Sequence, residues 1–158
     1  MAQVALLETV ELQAWARLLR AHAALTRQFN AELVAEHELT LNDYDVLVQL
    51  ARAPDRRLRR VDLAQQVLLT PSGITRLLDG LERAGWVERA ECPSDARVTY
   101  AQLTEAGLAK LREASATHLE AVRELLTAHL SEEQLETLGE LLGRLPGAAG
   151  TADVCSPD

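Results

Sequence analysis

The sequence predicts a mainly α (α+β) protein in which long helices flank a small β-hairpin. Aromatic residues make up only 3% of the chain, so the core must consist mostly of Leu, Val and Ala, and Leu and Ala favour helix. Apolar residues also recur at helical spacing in both terminal parts of the chain. Between those parts, two short helical patterns precede two strand-like segments separated by a polar loop from Pro93 to Arg97.

Length and composition limit the class of protein. A chain of 158 residues fits one domain with appended helices. Its apolar runs are far shorter than the ~20 residues that a membrane helix needs, and Glu8 and Glu11 interrupt the early apolar stretch that a signal peptide would require. Cys92 and Cys155 do not make a secreted disulfide framework. We therefore expect a cytoplasmic protein with no membrane association.

The formal net charge of −8 by itself argues against a nucleic-acid partner, but its distribution argues the other way. Between Arg52 and Tyr100 nine Arg residues stand against seven acidic residues, a local charge of +2, whereas the rest of the chain carries −10. DNA responds to charges within a Debye length, ~8 Å in physiological salt. The central segment is therefore the part of the chain suited to approach DNA.

The N-terminal part predicts one long helix from about Leu6 to Ala35. The residues at helical period are Trp15, Leu18, Leu19, His22, Leu25, Thr26, Phe29 and Leu33. At 1.5 Å per residue such a helix is ~45 Å long and exceeds the core of a small domain. We expect a second subunit to cover its excess apolar face.

Two shorter elements follow the long helix. Thr40 and Asp43 form a capping-box pattern that starts a helix. This helix ends before Pro54, which breaks the chain. The residues around Leu58 then predict a short strand.

A helix-turn-helix pattern occupies the next residues. The first helix covers Val61 to Leu68, and the second begins at Pro71 with Thr70 as its N-cap. The apolar face of the second helix is expected to pack on the first and consists of Ile74, Leu77, Leu78 and Leu81. Trp86 then opens the hairpin, so the whole predicts a winged helix-turn-helix over about residues 40–103.

The candidate DNA-contacting residues lie at the start of the second helix and at the hairpin tip. A recognition helix presents its N-terminal residues to base edges, and its free N–H groups suit phosphate. Arg76 can pair bidentately with guanine. An Arg at the hairpin tip can enter the minor groove, held by an adjacent Asp, although a solvated surface ion pair is the alternative. The candidates are Thr70, Ser72, Gly73, Thr75, Arg76, Asp95 and Arg97.

The C-terminal part predicts two more helices. Thr104 caps the first, which continues to His129. Ser131 starts a second capping box before a Leu-rich helix that is expected to stop at Pro146.

These elements predict one domain over residues 1–145. Dimerisation helices at about 6–35 and 104–145 flank the winged helix at 40–103. The segment 146–158 has no periodicity and predicts a disordered tail.

The combined pattern resembles the multiple-antibiotic-resistance regulator (MarR) family of bacteria over about Leu12 to Leu145, nearly the whole chain. The matching segments are Leu63-Ala64, Thr70-Pro71-Ser72, Thr75-Arg76, Leu81 to Val87, Asp95-Ala96-Arg97 and Leu103 to Gly107. The resemblance implies a winged helix-turn-helix with long N- and C-terminal dimerisation helices. It also implies a homodimer that binds a palindromic operator in double-stranded DNA, usually as a repressor, and releases it when a small anionic or phenolic compound binds.

The resemblance also assigns contacts. It implies that Ser72, Thr75 and Arg76 contact the major groove and that Arg97 contacts the minor groove.

Two positions depart from the family pattern. Ala96 stands in the wing where Gly or Arg is common, and Ala tolerates a positive φ poorly. Arg60 stands where an apolar residue is usual, and we expect it to contact phosphate together with Arg56, Arg57 and Arg59.

The family's effector site lies where the dimer helices meet the winged helix, and the candidates there are Trp15, His22, Tyr44 and Asp45. A Trp on the first helix occurs in a urate-responsive branch of the family, for which Asp45 would be a polar partner. Ordinary packing of the Trp15 indole is the alternative.

The sequence supports redox sensing and metal sensing less than it supports a small-molecule effector. The family's peroxide-sensing branch uses a Cys low in the first helix, and this chain has none there. An ordinary surface thiol is the favoured interpretation of Cys92, and a pKa lowered by the nearby Arg89 is the alternative, so its redox role stays open. The Cys, His and Glu residues do not cluster with metal-ligand spacing, and neither a metal nor another cofactor is expected.

Two other classes of function compete with a DNA-binding regulator. A winged helix can be a protein–protein interaction module without sequence-specific DNA binding, but such a module does not need Ser72, Thr75 and Arg76 on one polar face. An enzyme is disfavoured, because the sequence shows no nucleophile–base pairing, Gly-rich phosphate loop or metal motif.

Overall fold

The computed structural model describes residues 9–67, 71–92 and 94–146, apart from the side chains of Pro71 and Ala96. The elements in chain order are α1 (Val10–His37), α2 (Leu41–Arg52), β1 (Arg57–Arg59), α3 (Arg60–Gln66), α4 (Pro71–Arg83), β2 (Val87–Cys92), β3 (Asp95–Leu103), α5 (Glu105–His129) and α6 (Glu132–Gly143). A short 3-10 turn, Pro54–Arg56, precedes β1. The predicted mainly α fold with one small sheet is therefore confirmed.

The chain divides into two compact units, Met1–His118 and Leu119–Asp158. The first contains the winged helix and α1, and the second contains the end of α5 and all of α6. The single domain predicted over 1–145 stays a prediction. The predicted helix start at 6–8 and all but the first residue of the tail predicted at 146–158 lie outside the described residues.

Local hydrogen bonds explain where α1 and α2 meet. Glu38 adopts a left-handed conformation with φ of 56°, and its N–H donates to Leu33 and Val34, which satisfies carbonyl groups that a helix end leaves free. Thr40 then caps α2. The Asp43 N–H donates to Thr40 Oγ1 over 3.1 Å, and the Thr40 N–H donates to Asp43 Oδ2 over 2.8 Å, so the predicted capping box is present.

The hydrophobic core of the first unit joins α1, α2, α3, α4 and the sheet with the start of α5. Because these helices carry their apolar residues at helical period, each buries one face. The core residues with 3% exposure or less are Leu33, Leu39, Val46, Leu47, Leu50, Leu63, Ile74, Leu78, Leu81, Val87, Ala101, Leu103 and Ala114.

The sheet has the order β1–β3–β2, and both pairings are antiparallel. The register of β2 with β3 shifts near the tip, because Glu91 pairs with Thr99 whereas Cys92 pairs with Asp95. Three residues of β3, 96–98, therefore lie opposite no residue of β2. This irregularity places Arg97 in a bulged segment at the end of the hairpin.

A compact junction connects α4, β3 and α5. Thr104 caps α5 by accepting from the Gly107 N–H over 3.0 Å, and its own hydroxyl donates to the Gly85 carbonyl over 2.7 Å. The Thr104 N–H donates to the Trp86 carbonyl over 3.1 Å. Gly85 has φ of 77°, a conformation that glycine adopts without strain.

The second unit contains the second predicted capping box. The Gln134 N–H donates to Ser131 Oγ, and the Ser131 N–H donates to the Gln134 side chain. Helix α6 ends at Gly143, before the predicted stop at Pro146. A residue preceding proline is disfavoured in the α region, which accounts for Leu145 lying outside the helix.

Candidate nucleic-acid interface

Helix α4 has one buried and one exposed face. Ile74 and Leu78 are 2% and 0% exposed and anchor the helix in the core. Ser72, Thr75 and Arg76 are exposed, and their spacing of three and four residues puts them on one side of the helix. The sequence prediction of a polar face near the helix start therefore agrees with the burial pattern.

The residues on which α4 packs also agree with the sequence prediction. Leu63 and Val67 of the preceding helix-turn segment are 0% and 9% exposed and belong to the same core as α4. Gly73 is half-buried. Thr70, the predicted N-cap and phosphate contact, lies outside the described residues together with Leu68 and Leu69.

The hairpin tip presents Arg97, which is exposed together with Asp95. The Asp95 carboxylate accepts a hydrogen bond from the backbone N–H of Arg97 over 3.0 Å. The expected hold on the Arg97 guanidinium stays a prediction. An Asp side chain two residues before a main-chain N–H is well placed to form such a turn, so Asp95 shapes the loop that bears the exposed Arg97.

The basic residues around β1 have acidic partners within the chain. Arg56 donates to Glu105 over 2.6 Å. Arg59 donates to Asp62 over 2.6 and 3.0 Å, and this hydrogen bond raises the pKa of Arg59. The expected phosphate contact of these residues stays a prediction, and the ion pairs reduce the net positive charge that they present to DNA.

Arg57 and Arg60 also have acidic partners within the chain. Arg57 lies 3.5 Å from Asp55 and 5.2 Å from the centre of the Tyr100 ring, a cation–π distance. Arg60, the departure from the family pattern, donates to Glu82 over 3.1 Å. Arg60 is thus part of an ion-pair cluster between α3 and α4.

Cys92 lies half-buried at the base of the hairpin tip, with its Sγ 3.1 Å from Ser94 Oγ. The hydrogen bond with the Ser94 side chain, followed by backbone N–H groups of Ser94 and Asp95, lowers the pKa of the Cys92 thiol. The lowered pKa differs from the favoured interpretation of an ordinary surface thiol, and its largest cause is Ser94, with Arg89 not among its causes.

A polar and aromatic cluster lies between α1, α2 and α5 within the first unit. Tyr44 Oη is 3.0 Å from Ser115 Oγ. The His118 ring packs edge-on against Phe29 and Tyr44, with centroids 5.3 and 4.8 Å apart. His118 Nδ1 is shielded from solvent and has no hydrogen-bond partner among the described residues. Burial lowers the pKa of His118, and Glu32 opposes the shift.

The four effector candidates fall into two groups. Tyr44 belongs to this cluster, and the half-buried Asp45 next to it accepts from Gln49 over 3.2 Å. Trp15 is 57% exposed, and His22 is also exposed. Trp15 precedes Phe29 by about 14 residues, or about 21 Å along a helix, so it lies at a different level of α1 from the Tyr44 cluster.

The sequence analysis missed Ser115 and His118 as companions of Tyr44. They are three residues apart on one face of α5, and this spacing is the signal that the sequence carries. Their approach to α2 spans 71 residues of chain and is set by the fold.

The described ranges contain no group of three or more His, Cys, Asp or Glu residues able to hold a metal ion. Within the same ranges, the helices are too short or too polar to cross a bilayer.

Comparisons with known proteins agree with this geometry. A family model described as MarR family matches residues 37–98. The HTH-type transcriptional regulator MhqR of Bacillus subtilis (strain 168) is 31% identical over 128 residues, 81% of this chain and 86% of that protein.

Two solved structures are similar in fold. Sco3205, a MarR family transcriptional regulator from Streptomyces coelicolor in complex with DNA, has a TM-score of 0.77 and 36% identity over 84% of each chain. A mutant MarR from E. coli complexed with operator DNA has a TM-score of 0.74 and 27% identity over 85% of this chain and 94% of that chain. The relatives are regulators and not enzymes, as the sequence predicts. The chain belongs to the MarR family of DNA-binding, winged helix-turn-helix transcriptional regulators.

Proposed function

We propose that this regulator binds a palindromic operator as a homodimer, represses a neighbouring gene in the cytoplasm, and leaves the operator when a small anionic or aromatic effector binds. The observation that supports operator binding most directly is the exposed face of Ser72, Thr75 and Arg76 on α4. A helix anchored in the core by its apolar face, with its polar face exposed, is suited to enter a major groove.

The hairpin supplies the second contact in this proposal. Arg97 stands in the bulged end of the hairpin with its backbone fixed by Asp95. A guanidinium on a fixed loop suits a narrow minor groove, whose potential is strongly negative. Arg76 would then read bases, and Arg97 would add affinity that depends less on sequence.

The test begins with selection of bound sequences from a random duplex library. We expect a palindrome with half-sites about one helical turn apart. Arg76→Ala should cost about 1–3 kcal/mol in binding free energy and relax the base preference at one position per half-site. Fluorescence anisotropy measures the affinity, and repeating the selection measures the preference.

Arg97→Ala should act differently. It should weaken binding to all duplexes more evenly and reduce the slope of log affinity against log salt by about 1 per contact. Arg112→Ala, which removes an exposed Arg of α5, is the matched control and should change neither quantity. If wild type and Arg76→Ala bound the selected palindrome equally well, the assignment of α4 to the DNA interface would be wrong.

Exposed apolar residues support the homodimer. Leu12, Trp15 and Leu19 are 41%, 57% and 46% exposed, and their spacing places them on one face of α1. In the second unit Leu138 and Leu141 are 39% and 51% exposed. Apolar stripes of this kind mark association sites, and a second copy of the chain is the partner that a palindromic operator requires.

The Tyr44 cluster supports an effector site. It combines an aromatic surface with a hydroxyl pair and the shielded Nδ1 of His118, which has no hydrogen-bond partner among the described residues. Small-molecule sites typically have apolar walls and a few polar groups. An aromatic acid or phenol would stack on these rings and hydrogen-bond to His118 or Tyr44.

A thermal-shift screen of aromatic acids and purines tests this part of the proposal. A ligand that binds only the folded protein raises its melting temperature with concentration, and an effector must also lower operator affinity in the anisotropy assay. Tyr44→Phe and His118→Gln should reduce both responses. His129→Gln, at an exposed histidine of α5, should preserve them.

A further inference from the structure

Four charged residues form an ion-pair cluster at the C-terminal end of α4, where Asp79 continues the polar side of the helix that bears Thr75 and Arg76. Arg89 of β2 donates through Nε to both oxygens of Glu82, over 3.1 and 2.9 Å, and through Nη2 to Asp79 over 3.1 Å. Arg60 of α3 donates to the same Glu82 over 3.1 Å. Glu82 therefore connects α3, α4 and the hairpin at one carboxylate.

The contacts of Arg89 are directional. Glu82 and Asp79 are three residues apart on the last turns of α4, so both face the same strand. A planar guanidinium that bonds two carboxylates fixes their orientation more closely than a single point charge does. The cluster thus restricts both rotation of α4 about its axis and tilt of β2 against it.

The cluster adds little to overall DNA attraction. Its two Arg and two acidic residues cancel in charge, and no phosphate is needed to neutralise them. The side chains of Glu82 and Arg60 are only 21% and 23% exposed, and Arg60 Nε is shielded without a hydrogen-bond partner among the described residues. Partly buried ion pairs contribute little net stability because desolvation opposes their attraction. Their effect on geometry is the larger consequence.

We propose that Glu82 is a positioning residue for DNA recognition, which locks the recognition helix to the wing through Arg89 and to α3 through Arg60. This inference rests on the proposed operator binding. The lock fixes the spacing between Arg76 on α4 and Arg97 on the hairpin, so both engage one duplex together.

The sign of a charge change gives a sharp test. Glu82→Gln removes one negative charge near DNA, so electrostatics alone would tighten binding. If Glu82 positions the recognition helix, Glu82→Gln should instead lower operator affinity by at least about threefold, the scale of coupling between side chains in contact. Its affinity for a random duplex should not fall. Glu105→Gln removes the same charge and also breaks an ion pair with Arg56, so it is the matched control and should not weaken operator binding.

A double-mutant cycle separates positioning from folding. Arg97→Ala should reduce operator affinity by a larger factor in wild type than in Glu82→Gln, with a difference of at least about threefold. A variant that is merely less stable would show equal factors once its folded fraction is measured by circular dichroism. Should Glu82→Gln fail to fold, Arg89→Lys answers the same question, because Lys keeps the charge and loses the two-carboxylate fork.

The outcomes distinguish this inference from the proposed function. If wild type selects no duplex, operator binding itself is wrong. If Arg76→Ala weakens operator binding but Glu82→Gln and Arg89→Lys behave like Glu105→Gln, or if the cycle is additive, only the positioning role is overturned.

Discussion

At the scale of single residues, His118 shows how packing changes chemistry. Its ring contacts Phe29 and Tyr44, and burial lowers its pKa from the ordinary value near 6.5. The fold therefore favours the neutral imidazole. The unfolded chain takes up a proton at a higher pH than the folded chain does, and this difference links folding to pH.

The sign of the resulting pH dependence follows directly. Well above pH 6.5, His118 is neutral in both the folded and the unfolded state and contributes no difference. As pH falls through about 6.5, the ordinary pKa of histidine, the unfolded state binds more protons than the folded state, so the free energy of unfolding should decrease. We expect His118→Gln to make the decrease between pH 7 and pH 5 shallower, as measured by urea unfolding. His22→Gln, at an exposed histidine, is the control, and an unchanged slope in His118→Gln would contradict the role of burial.

At the scale of elements, the junction between the Gly85–Trp86 turn and α5 requires glycine at position 107. A Cβ at Gly107 would collide with the Trp86 carbonyl oxygen and come within 2.8 Å of Leu103 Cδ1. The colliding partner is main chain, held in place by its hydrogen bond from the Thr104 N–H. The junction therefore has little freedom to relax.

Gly107→Ala should lower the free energy of unfolding by about 2 kcal/mol or more, because overpacking forces backbone to move. Gly80→Ala is the matched control in the interior of α4, where a new Cβ would have nothing within 4 Å. That change should raise stability by about 0.5–1 kcal/mol through helix propensity. Chemical denaturation measures both, and equal effects of the two substitutions would be inconsistent with the close approach.

The sequence predicts elements well where their signals are local. The caps at Thr40 and Ser131 and the apolar face of α4 depend on residues three or four apart, and the structure confirms them. Contacts between distant segments carry no such period. The pairing of Arg60 with Glu82 and the meeting of Tyr44 with Ser115 span 22 and 71 residues, so they emerge only when the core brings the elements together.

The hairpin tip shows a third case. The sequence predicts Arg97 at an exposed loop, and its exposure agrees. Asp95 makes a contact that the sequence prediction did not include, because its carboxylate reaches the nearby Arg97 N–H. The short Asp side chain accepts readily from a main-chain N–H two residues away, because the backbone holds the two groups close together.

At the scale of the whole molecule, the exposed apolar stripe of α1 predicts association. We expect sedimentation to give a mass near twice 17.3 kDa. Leu19→Glu should shift the mass toward a monomer, because the charge would be buried without a partner in the dimer. Removal of the first ~20 residues should leave a monomeric or insoluble product.

Val61→Glu is the control for this experiment. Val61 is an apolar residue of α3 with 64% exposure, outside the stripe of α1. It should leave the mass unchanged. A wild-type chain that sediments as a monomer at micromolar concentration would contradict the homodimer and, with it, the simplest basis for a palindromic site.

The cap of α5 has a mechanical consequence. Thr104 is hydrogen-bonded to Gly85 and to Trp86 at the foot of the hairpin, and Ser115 and His118 lie about three to four turns further along the same uninterrupted helix. The helix is continuous between these two side chains and its cap. A ligand that displaced Ser115 and His118 would therefore shift α5 as a rigid body, and the hydrogen bonds of its cap would transmit the shift to the hairpin that bears Arg97.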